Sequence, residues 1–316
     1  MKALITGISG FTGKHLAELL KKDKILVTGI DIHKGEYYQA DLADKKRLTE
    51  VLTKEQPDYI FHLASPVLRS NQMVDEGLVK NLETDLFGTV NLIEAAAKLK
   101  HKPRILITGT AAEYEIPPSE ESIRPPRRCR ARRETDALKP NTSYGLSKMT
   151  QELVSRKLAE SYGLELIYTR SFLLIGPGQK PGFVINDWCK QLAQDKNTLV
   201  TGNLNIRRDF TDVRDGAAAY LMLMKKGKPG EIYNVCSGKS RELAEIIKVL
   251  KKAVLSDFKV DENKNRFKNN DPLELFGDNT KIKALGWQPE ISLQESLKDT
   301  LDYWRQIPIR SDLFKI

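Results

Sequence analysis

A phenol and an amine four residues apart stand out in SYGLSK, residues 143–148. On a helix Tyr144 and Lys148 share one face, and of the ten tyrosines this is the one with a lysine at that offset. Such a pair suits delivery of a proton to a carbonyl oxygen as negative charge develops on it. A free phenol, with a pKa of about 10, releases its proton too rarely near neutrality. A nearby ammonium favours the phenolate, and a shift of two units amounts to about 2.7 kcal/mol. Lys148 is therefore expected to lower the Tyr144 pKa. Residues 107–115, ITGTAAEYE, end an apolar run at Thr110, whose hydroxyl can bond the same substrate oxygen. Taken singly, Thr110 is equally a strand-end hydroxyl satisfying backbone, and Tyr-x-x-x-Lys is a weak signal. Convergence of the three is what gives them weight.

A second chemistry is written near the start. TGISGFTGKH places Gly7, Gly10 and Gly13 between a short apolar strand and a helix, with Phe11 and Thr12 inside the same turn. Glycines there let backbone N–H groups approach a pyrophosphate, and the helix N-terminus adds a favourable partial charge. The second strand ends in VTGID, and a carboxylate at Asp31 can accept both ribose hydroxyls while repelling a 2′-phosphate. NAD is thus expected rather than NADP, although His33 and Lys34 follow directly and soften the preference. Asp41 and Leu42 are expected beside the adenine, and Leu63, Ala64 and Ser65 beside the pyrophosphate. Tyr144 and Lys148 would then also contact the cofactor, Lys148 by holding the nicotinamide ribose.

These groups need elements to carry them. Apolar runs at Lys2–Thr6, Ile25–Ile30, Tyr59–Leu63, Ile105–Gly109 and Leu164–Thr169 alternate with helical periodicity at Phe11–Lys21, Lys45–Leu52, Glu76–Leu99 and Ser143–Tyr162. Buried strands alternating with helices imply an α/β chain with a doubly wound parallel Rossmann sheet. Its ligand crevice lies beyond the carboxyl ends of the strands. After residue 170 the rhythm weakens. GPGQKPG is a loop by composition, and Arg241–Val254 and Leu293–Arg305 read as amphipathic helices. We expect a dinucleotide-binding domain over 1–170, with 211–238 returning to it, and a smaller C-terminal substrate-binding cap from 171–210 and 239–316.

The 316 residues, 40% hydrophobic and 29% charged, allow a sizeable core. No apolar run approaches the roughly 18 residues of a membrane span, no secretory leader is evident, and the three cysteines lack metal-type spacing. A soluble, reduced, cytoplasmic protein without a metal is the expectation. Much of the net charge of +9 sits in RRCRARR, Arg127 to Arg133, with five arginines in seven residues. That run is either a solvated loop or a surface for phosphates, RNA or another subunit. It has no interleaved aromatic on which a base can stack, so nucleic acid is not the expected partner.

With these motifs in view, the chain resembles the extended short-chain dehydrogenase/reductases, in their nucleotide-sugar-modifying branch. The resemblance runs through TGISGFTGKHL, the Asp31 strand, FHLAS, GTVNLIEAA, Thr110, SYGLSK, IGPGQ, RRDFTDVRD, YNVCSG and GDNTKIKALGW. The later motifs look most like GDP-4-keto-6-deoxymannose reductases and the related GDP-mannose 4,6-dehydratases. The resemblance implies catalysis by Thr110, Tyr144 and Lys148. It also implies substrate contacts by Gln179, Phe183, Val184, Arg207, Arg208 and Lys268, with Arg208 foremost on the diphosphate. By analogy, Val79–Leu99 and Ser143–Tyr162 form a four-helix bundle across a homodimer.

Relatives that dehydrate carry an acid one or two residues after the threonine, needed to move protons during elimination. Here Ala111 and Ala112 stand there. Glu113, by strand alternation, is expected to point elsewhere. The implied reaction is reduction of a 4-keto-6-deoxy sugar nucleotide by NAD(P)H with Tyr144 as acid. The alternative is a 4-epimerase that retains NAD, which Asp31 favours. The family's Asn-His before IGPG is Leu173-Leu174, and its Asn three residues before GTxNL is Asp85.

Overall fold

Apolar stretches too short for helices and rich in Ile, Leu, Val, Tyr and Phe become strands stacked side by side. The computed structural model describes residues 1–66, 76–115, 130–194, 197–254, 257–267 and 272–307. In chain order come β1 (Lys2–Thr6), α1 (Phe11–Lys22), β2 (Leu26–Asp31), β3 (Tyr38–Gln39), α2 (Lys45–Glu55) and β4 (Tyr59–His62). Next are α3 (Glu76–Leu82), a π-helical stretch over Glu83–Gly88, α4 (Thr89–Ala97), β5 (Arg104–Thr110), a 3-10 turn at Ala111–Glu113, α5 (Ser143–Tyr162) and β6 (Leu166–Ser171). These strands, with a later one, form a seven-stranded parallel sheet. β1 pairs with β2 on one side and β4 on the other, so the winding reverses there. A crevice opens beyond the carboxyl ends of β1 and β4 at that switch point.

Two expectations change. The helical pattern of Glu76–Leu99 is not one regular helix, because Glu83–Gly88 is π-helical. The Thr89 hydroxyl donates to the Asp85 carbonyl, competing for an acceptor the helix would use itself. The alternation argument for Glu113 fails as well. Ala111–Glu113 is a 3-10 turn, so the backbone curls and Glu113 folds inward to full burial.

The remaining elements are β7 (Leu173–Ile175), α6 (Val184–Ala193), β8 (Thr198–Thr201), β9 (Arg207–Asp212), α7 (Val213–Lys226), β10 (Ile232–Val235), β11 (Ser240–Glu242), α8 (Leu243–Ala253), β12 (Lys259–Glu262), β13 (Glu274–Leu275), α9 (Thr280–Lys283) and α10 (Leu293–Gln306). β10 joins the main sheet beside β6. α7 lays Ala217, Tyr220, Leu223 and Met224 into the core shared with Leu16 and Leu20 of α1. A separate core gathers Trp188 of α6, Ile246 and Leu250 of α8, and Leu297 and Leu301 of α10. β9 spans the small sheet between β11 and β13, with β7 also paired to it.

One carboxylate ties β9 to the loops around it. Asp209 is buried and accepts from the Ser237 amide (2.8 Å) and hydroxyl (2.6 Å), the Gly238 amide (2.9 Å) and the Gly277 amide (3.3 Å). Replacing Asp209 with Ala strips three amides of their acceptor. At about 1–3 kcal/mol per orphaned buried group, the loss is expected to be at least about 3 kcal/mol. Denaturant midpoints of wild type and Asp209→Ala measure it, and equal midpoints would show that the loops hold themselves.

Candidate active site

The glycine turn comes first in the chain and is shaped by close approach. Gly7 has φ 72°, and a Cβ there would meet the Ala64 backbone at 2.9 Å. A Cβ on Gly13 would lie 2.3 Å from the Gly7 carbonyl oxygen. Both positions therefore require glycine. Helix α1 begins at Gly10 with no side-chain cap and no acid in its first turn, so its N-terminal field is left for an anion. The Asp31 carboxylate accepts from the Ser9 amide (3.0 Å) and the His33 amide (3.1 Å), which sets it at the lip of this turn. These residues fit a dinucleotide: backbone room for a pyrophosphate, an uncapped helix and a carboxylate at the end of β2. Phe11 stacks edge-on against His15, whose Nε2 sits 2.9 Å from the Pro177 carbonyl of the GPGQ loop. Leu63 and Ala64 follow β4 against Gly7, with Ser65 next in the chain. Leu42 is buried near Gly88, while Asp41 is exposed and its carboxylate accepts the Ala43 amide.

Thr110 ends β5 in extended geometry and caps the turn after it. Its hydroxyl oxygen accepts from the Ala112 amide (3.3 Å), leaving its O–H to donate outward, while its own amide donates to Glu113 Oε1 (2.7 Å). Helix α5 starts at a Thr142 cap that accepts the Gly145 amide (3.0 Å). Tyr144 therefore sits in the first turn and Lys148 one turn later on the same face. A hydrogen-bonding interaction with the Thr110 hydroxyl draws the Tyr144 pKa down, but burial, then the Asp85 and Glu113 carboxylates, together push it up. This corrects the expected direction. Lys148 does not rank among the leading influences on the phenol.

Lys148 is fully buried. Its Nζ donates to the Thr108 carbonyl (3.0 Å) and to Gln151 Oε1 (3.0 Å), and lies 3.2 Å from Asp85 Oδ1. The second Asp85 oxygen accepts from the Ser147 hydroxyl (3.0 Å). From Gln151 the polar chain runs on. Its Nε2 donates to Thr89 Oγ1 (2.8 Å), which lies 2.8 Å from His62 Nε2, and His62 Nδ1 lies 2.7 Å from Thr6 Oγ1. Since Thr89 gives its proton to the Asp85 carbonyl, His62 carries hydrogen on Nε2 and accepts from Thr6 at Nδ1. Behind Thr110, Glu113 is pushed well above the ordinary carboxylate range, by burial first and the Glu152 carboxylate second. Arg170 forks onto Glu152 at 2.9 and 2.8 Å.

None of Asp85, His62, Gln151 or Glu113 is a predicted site residue. Gln151 lies three residues beyond Lys148 on the same helix face, and His62 is a lone polar residue closing an apolar strand, so spacing carried those two signals. Glu113 depends on a turn that strand alternation hides.

A cavity of about 370 Å³ lies above β9, lined by Leu173, Leu174, Gln179, Phe183, Val184 and Arg208, among others. Gln179 is nearly buried; its Nε2 donates to the Leu174 carbonyl while its Oε1 has no hydrogen-bond partner. That oxygen suits a ligand donor. Arg208 reaches the cavity with Nη1 held by the carbonyls of Arg207 and Pro272. Arg207 does not line this cavity. Strand alternation turns it to the opposite face, among Glu242 (3.0 Å), Glu245 (3.5 Å) and Glu274 (3.5 Å). Its predicted place on a diphosphate is therefore corrected to an ion-pair cluster. Lys268 lies outside the described residues.

The polar chain around Lys148 makes a pH prediction. Burial, with the Lys148 charge second, drops the His62 pKa to about 3 from an ordinary 6.5. A depressed pKa means stability present above about pH 6.5 and lost as pH falls toward 3. His62→Gln is expected to lose less stability than wild type between about pH 7 and pH 4, read from denaturant midpoints. Parallel acid limbs would show that His62 charges without cost.

Comparison with known proteins agrees with this geometry. A family model described as "NAD dependent epimerase/dehydratase family" matches residues 3–236. A GDP-6-deoxy-D-mannose reductase from Pseudomonas aeruginosa is 29% identical over 315 residues, covering 96% of this chain and 97% of that protein. A GDP-6-deoxy-D-talose 4-dehydrogenase from Aggregatibacter actinomycetemcomitans is 28% identical over 89% of this chain and 90% of its own. The solved structure of RMD from Pseudomonas aeruginosa with NADPH superposes with a TM-score of 0.83 at 28% identity, covering 96% of this chain and 98% of that one. The chain belongs to the NAD dependent epimerase/dehydratase family, the extended short-chain dehydrogenase/reductases that its motifs resemble.

Proposed function

We propose that the protein reduces a 4-keto-6-deoxy sugar nucleotide, GDP-linked, with Tyr144 as proton donor. The observation that carries this reading is a phenol kept protonated and hydrogen-bonded to the Thr110 hydroxyl, where no titratable side chain occupies positions 111 and 112. When bound, NAD(P)H supplies the hydride. As charge grows on the sugar's carbonyl oxygen, Tyr144 gives it a proton and Thr110 donates a hydrogen bond that orients it. Lys148, with its three N–H groups committed to Thr108, Gln151 and Asp85, holds the helix that presents the phenol, in place of the ribose contact expected of it, and the phenol regains its proton from solvent through the open crevice. The balance is ketone, reduced nicotinamide and one proton giving alcohol and oxidised nicotinamide.

Support for the substrate class comes from the cavity beside β9. Arg208 offers a planar guanidinium to a diphosphate, and Gln179 offers an unmatched acceptor to a sugar or base donor. Leu173 and Leu174 make one wall apolar, which suits a 6-deoxy carbon better than a hydroxymethyl group. Asp31 favours NADH over NADPH, since a 2′-phosphate would meet its carboxylate. The same residue supports a second reading, a 4-epimerase that keeps NAD bound and returns the hydride to the other face. In either case residues 1–170 with 211–238 would bind the dinucleotide, and 171–210 with 239–316 would cap the sugar.

The protein would act as a cytoplasmic homodimer. Val79 of α3, Phe87 of the π-helical stretch and Leu153 of α5 are 60, 59 and 55% exposed on elements that pack together. Three large apolar side chains on adjoining helices make a surface that a second copy would cover. Among the described residues no helix is long and apolar enough to cross a membrane.

Incubation with GDP-4-keto-6-deoxymannose and NADH should consume both, with NADPH used less efficiently. Tyr144→Phe should lower kcat by about 10²- to 10⁴-fold. Unchanged turnover in that variant sinks the reductase reading. Nicotinamide that co-purifies with the protein, together with turnover needing none added, would select the epimerase instead.

A further inference from the structure

Asp85 has no exposed surface. It lies in the π-helical stretch that interrupts the helix before α4, so the irregular backbone delivers it to α5. One oxygen lies 3.2 Å from Lys148 Nζ and the other accepts the Ser147 hydroxyl at 3.0 Å. A buried carboxylate is costly unless a cation and hydrogen bonds offset the lost hydration. Here the ammonium and the Ser147 hydroxyl do so.

We propose that Asp85 is a positioning residue that holds the Lys148 ammonium and so commits Tyr144 to giving a proton rather than taking one. The inference rests on the reductase reading and deepens it by fixing the direction in which the site works. Asparagine could hold Ser147 and orient the amine equally well. It could not cancel the charge.

The charged and titratable groups that bear on the phenol, or on its neighbours, come from every element packed there. α5 brings Lys148 and Glu152, the turn after β5 brings Glu113, and β6 brings Tyr168 and Arg170. β4 contributes His62, α7 contributes Tyr220, and the π-helical stretch contributes Asp85. Arg170 is taken up by Glu152 and lies 3.8 Å from Glu113, and His62 is neutral over the working range. Lys148 is thus the one cation in this set whose balance against Asp85 sets the phenol. With the pair intact, burial first and the Asp85 carboxylate second hold the phenol protonated. With asparagine the ammonium stands alone, and phenolate is favoured.

The full-length protein is tested by ultraviolet titration of Tyr144, without substrate or cofactor, using Tyr144→Phe as the blank. The wild-type phenol is expected to titrate above its ordinary value of about 10. In Asp85→Asn its midpoint should fall by about one unit or more, a tenfold rise in the phenolate-to-phenol ratio at fixed pH. A folded variant that titrates with the wild type overturns the proposal, because a purely architectural Asp85 would leave the phenol alone. Should that variant not fold, Asp85→Ser, which also removes the charge, is read in the same way: a fall of about one unit supports the proposal and an unchanged midpoint overturns it. Since the titration needs no sugar, a protein that ignores GDP-4-keto-6-deoxymannose loses the proposed reaction while this result stands or falls separately. With substrate turning over, the alkaline limb of ketone reduction should shift down by the same interval in Asp85→Asn.

Discussion

An ammonium with no water around it has to be satisfied by the protein, and the architecture near the crevice follows from that demand on Lys148. Its partners come from three separate places: the carbonyl of Thr108 on β5, the amide of Gln151 on its own helix, and the carboxylate of Asp85 from an interrupted helix. Burying one such charge without partners costs several kcal/mol. The requirement therefore fixes the height of α5 against the sheet and the position of the π-helical stretch against α5. Gln151 then passes the constraint through Thr89 and His62 to Thr6, the residue that leads into the glycine turn. Helix α5 and the glycine turn are registered to each other by one continuous polar chain through an otherwise apolar interior.

Behind the strand end a second buried cluster performs the corresponding task for Thr110. Glu113 accepts the Thr110 amide and thereby pins the turn. Its pKa is raised, first by burial and then by Glu152, so the protonated form is favoured. Arg170 is committed to Glu152 through two short bonds and stacks over the Tyr114 ring. A glutamate this close to Thr110 would ordinarily invite an acid–base role. Its burial behind the strand argues for support instead, which agrees with a site that lacks the acid needed for elimination.

The alternating strands and helices of the first half were legible because their signals are local: aliphatic runs of four to seven residues and glycines at a strand-to-helix turn. The seven-stranded sheet and the match to family structures bear out the doubly wound fold. Helix α5 has the bounds its sequence implies, since Thr142 caps it and Gly163 ends it at φ 62°. Other features depend on partners remote in sequence. Nothing local says that Asp85 will face Lys148, so the sequence offered only a departure from a family pattern. The Tyr144 pKa was misjudged for that reason: the amine was visible from spacing, and the carboxylate that quiets it was not. Arg207 and Arg208 look interchangeable in a string, yet neighbours on a strand face opposite ways, and three glutamates claim Arg207.

The arginine-rich run shows the same dependence on partners, with a different outcome for function. Residues 130–133 are described, and the charges of Arg130 and Arg133 are paired within the protein. Arg130 forks onto Asp136 at 2.7 and 3.0 Å, and Arg133 pairs with Asp278 at 3.1 Å. The backbone of Arg132 bridges to Gly277, and its carbonyl accepts the Asn234 amide side chain at 2.8 Å. Glu134 accepts the Asn234 amide, and its carbonyl holds Arg170. This part of the segment is thus stitched to the sheet end that carries Tyr114, Asn234 and Arg170. A polyanion would have to break both ion pairs before it gained the guanidinium groups of Arg130 and Arg133. Exposed pairs of this kind are worth about 1 kcal/mol or less each, so the barrier is modest. The electrostatic attraction that remains is nevertheless weaker than five arginines in seven residues suggest. For these residues, anchoring the wall of the crevice is the role their contacts support, and it leaves the net positive charge as a property of the solvated surface.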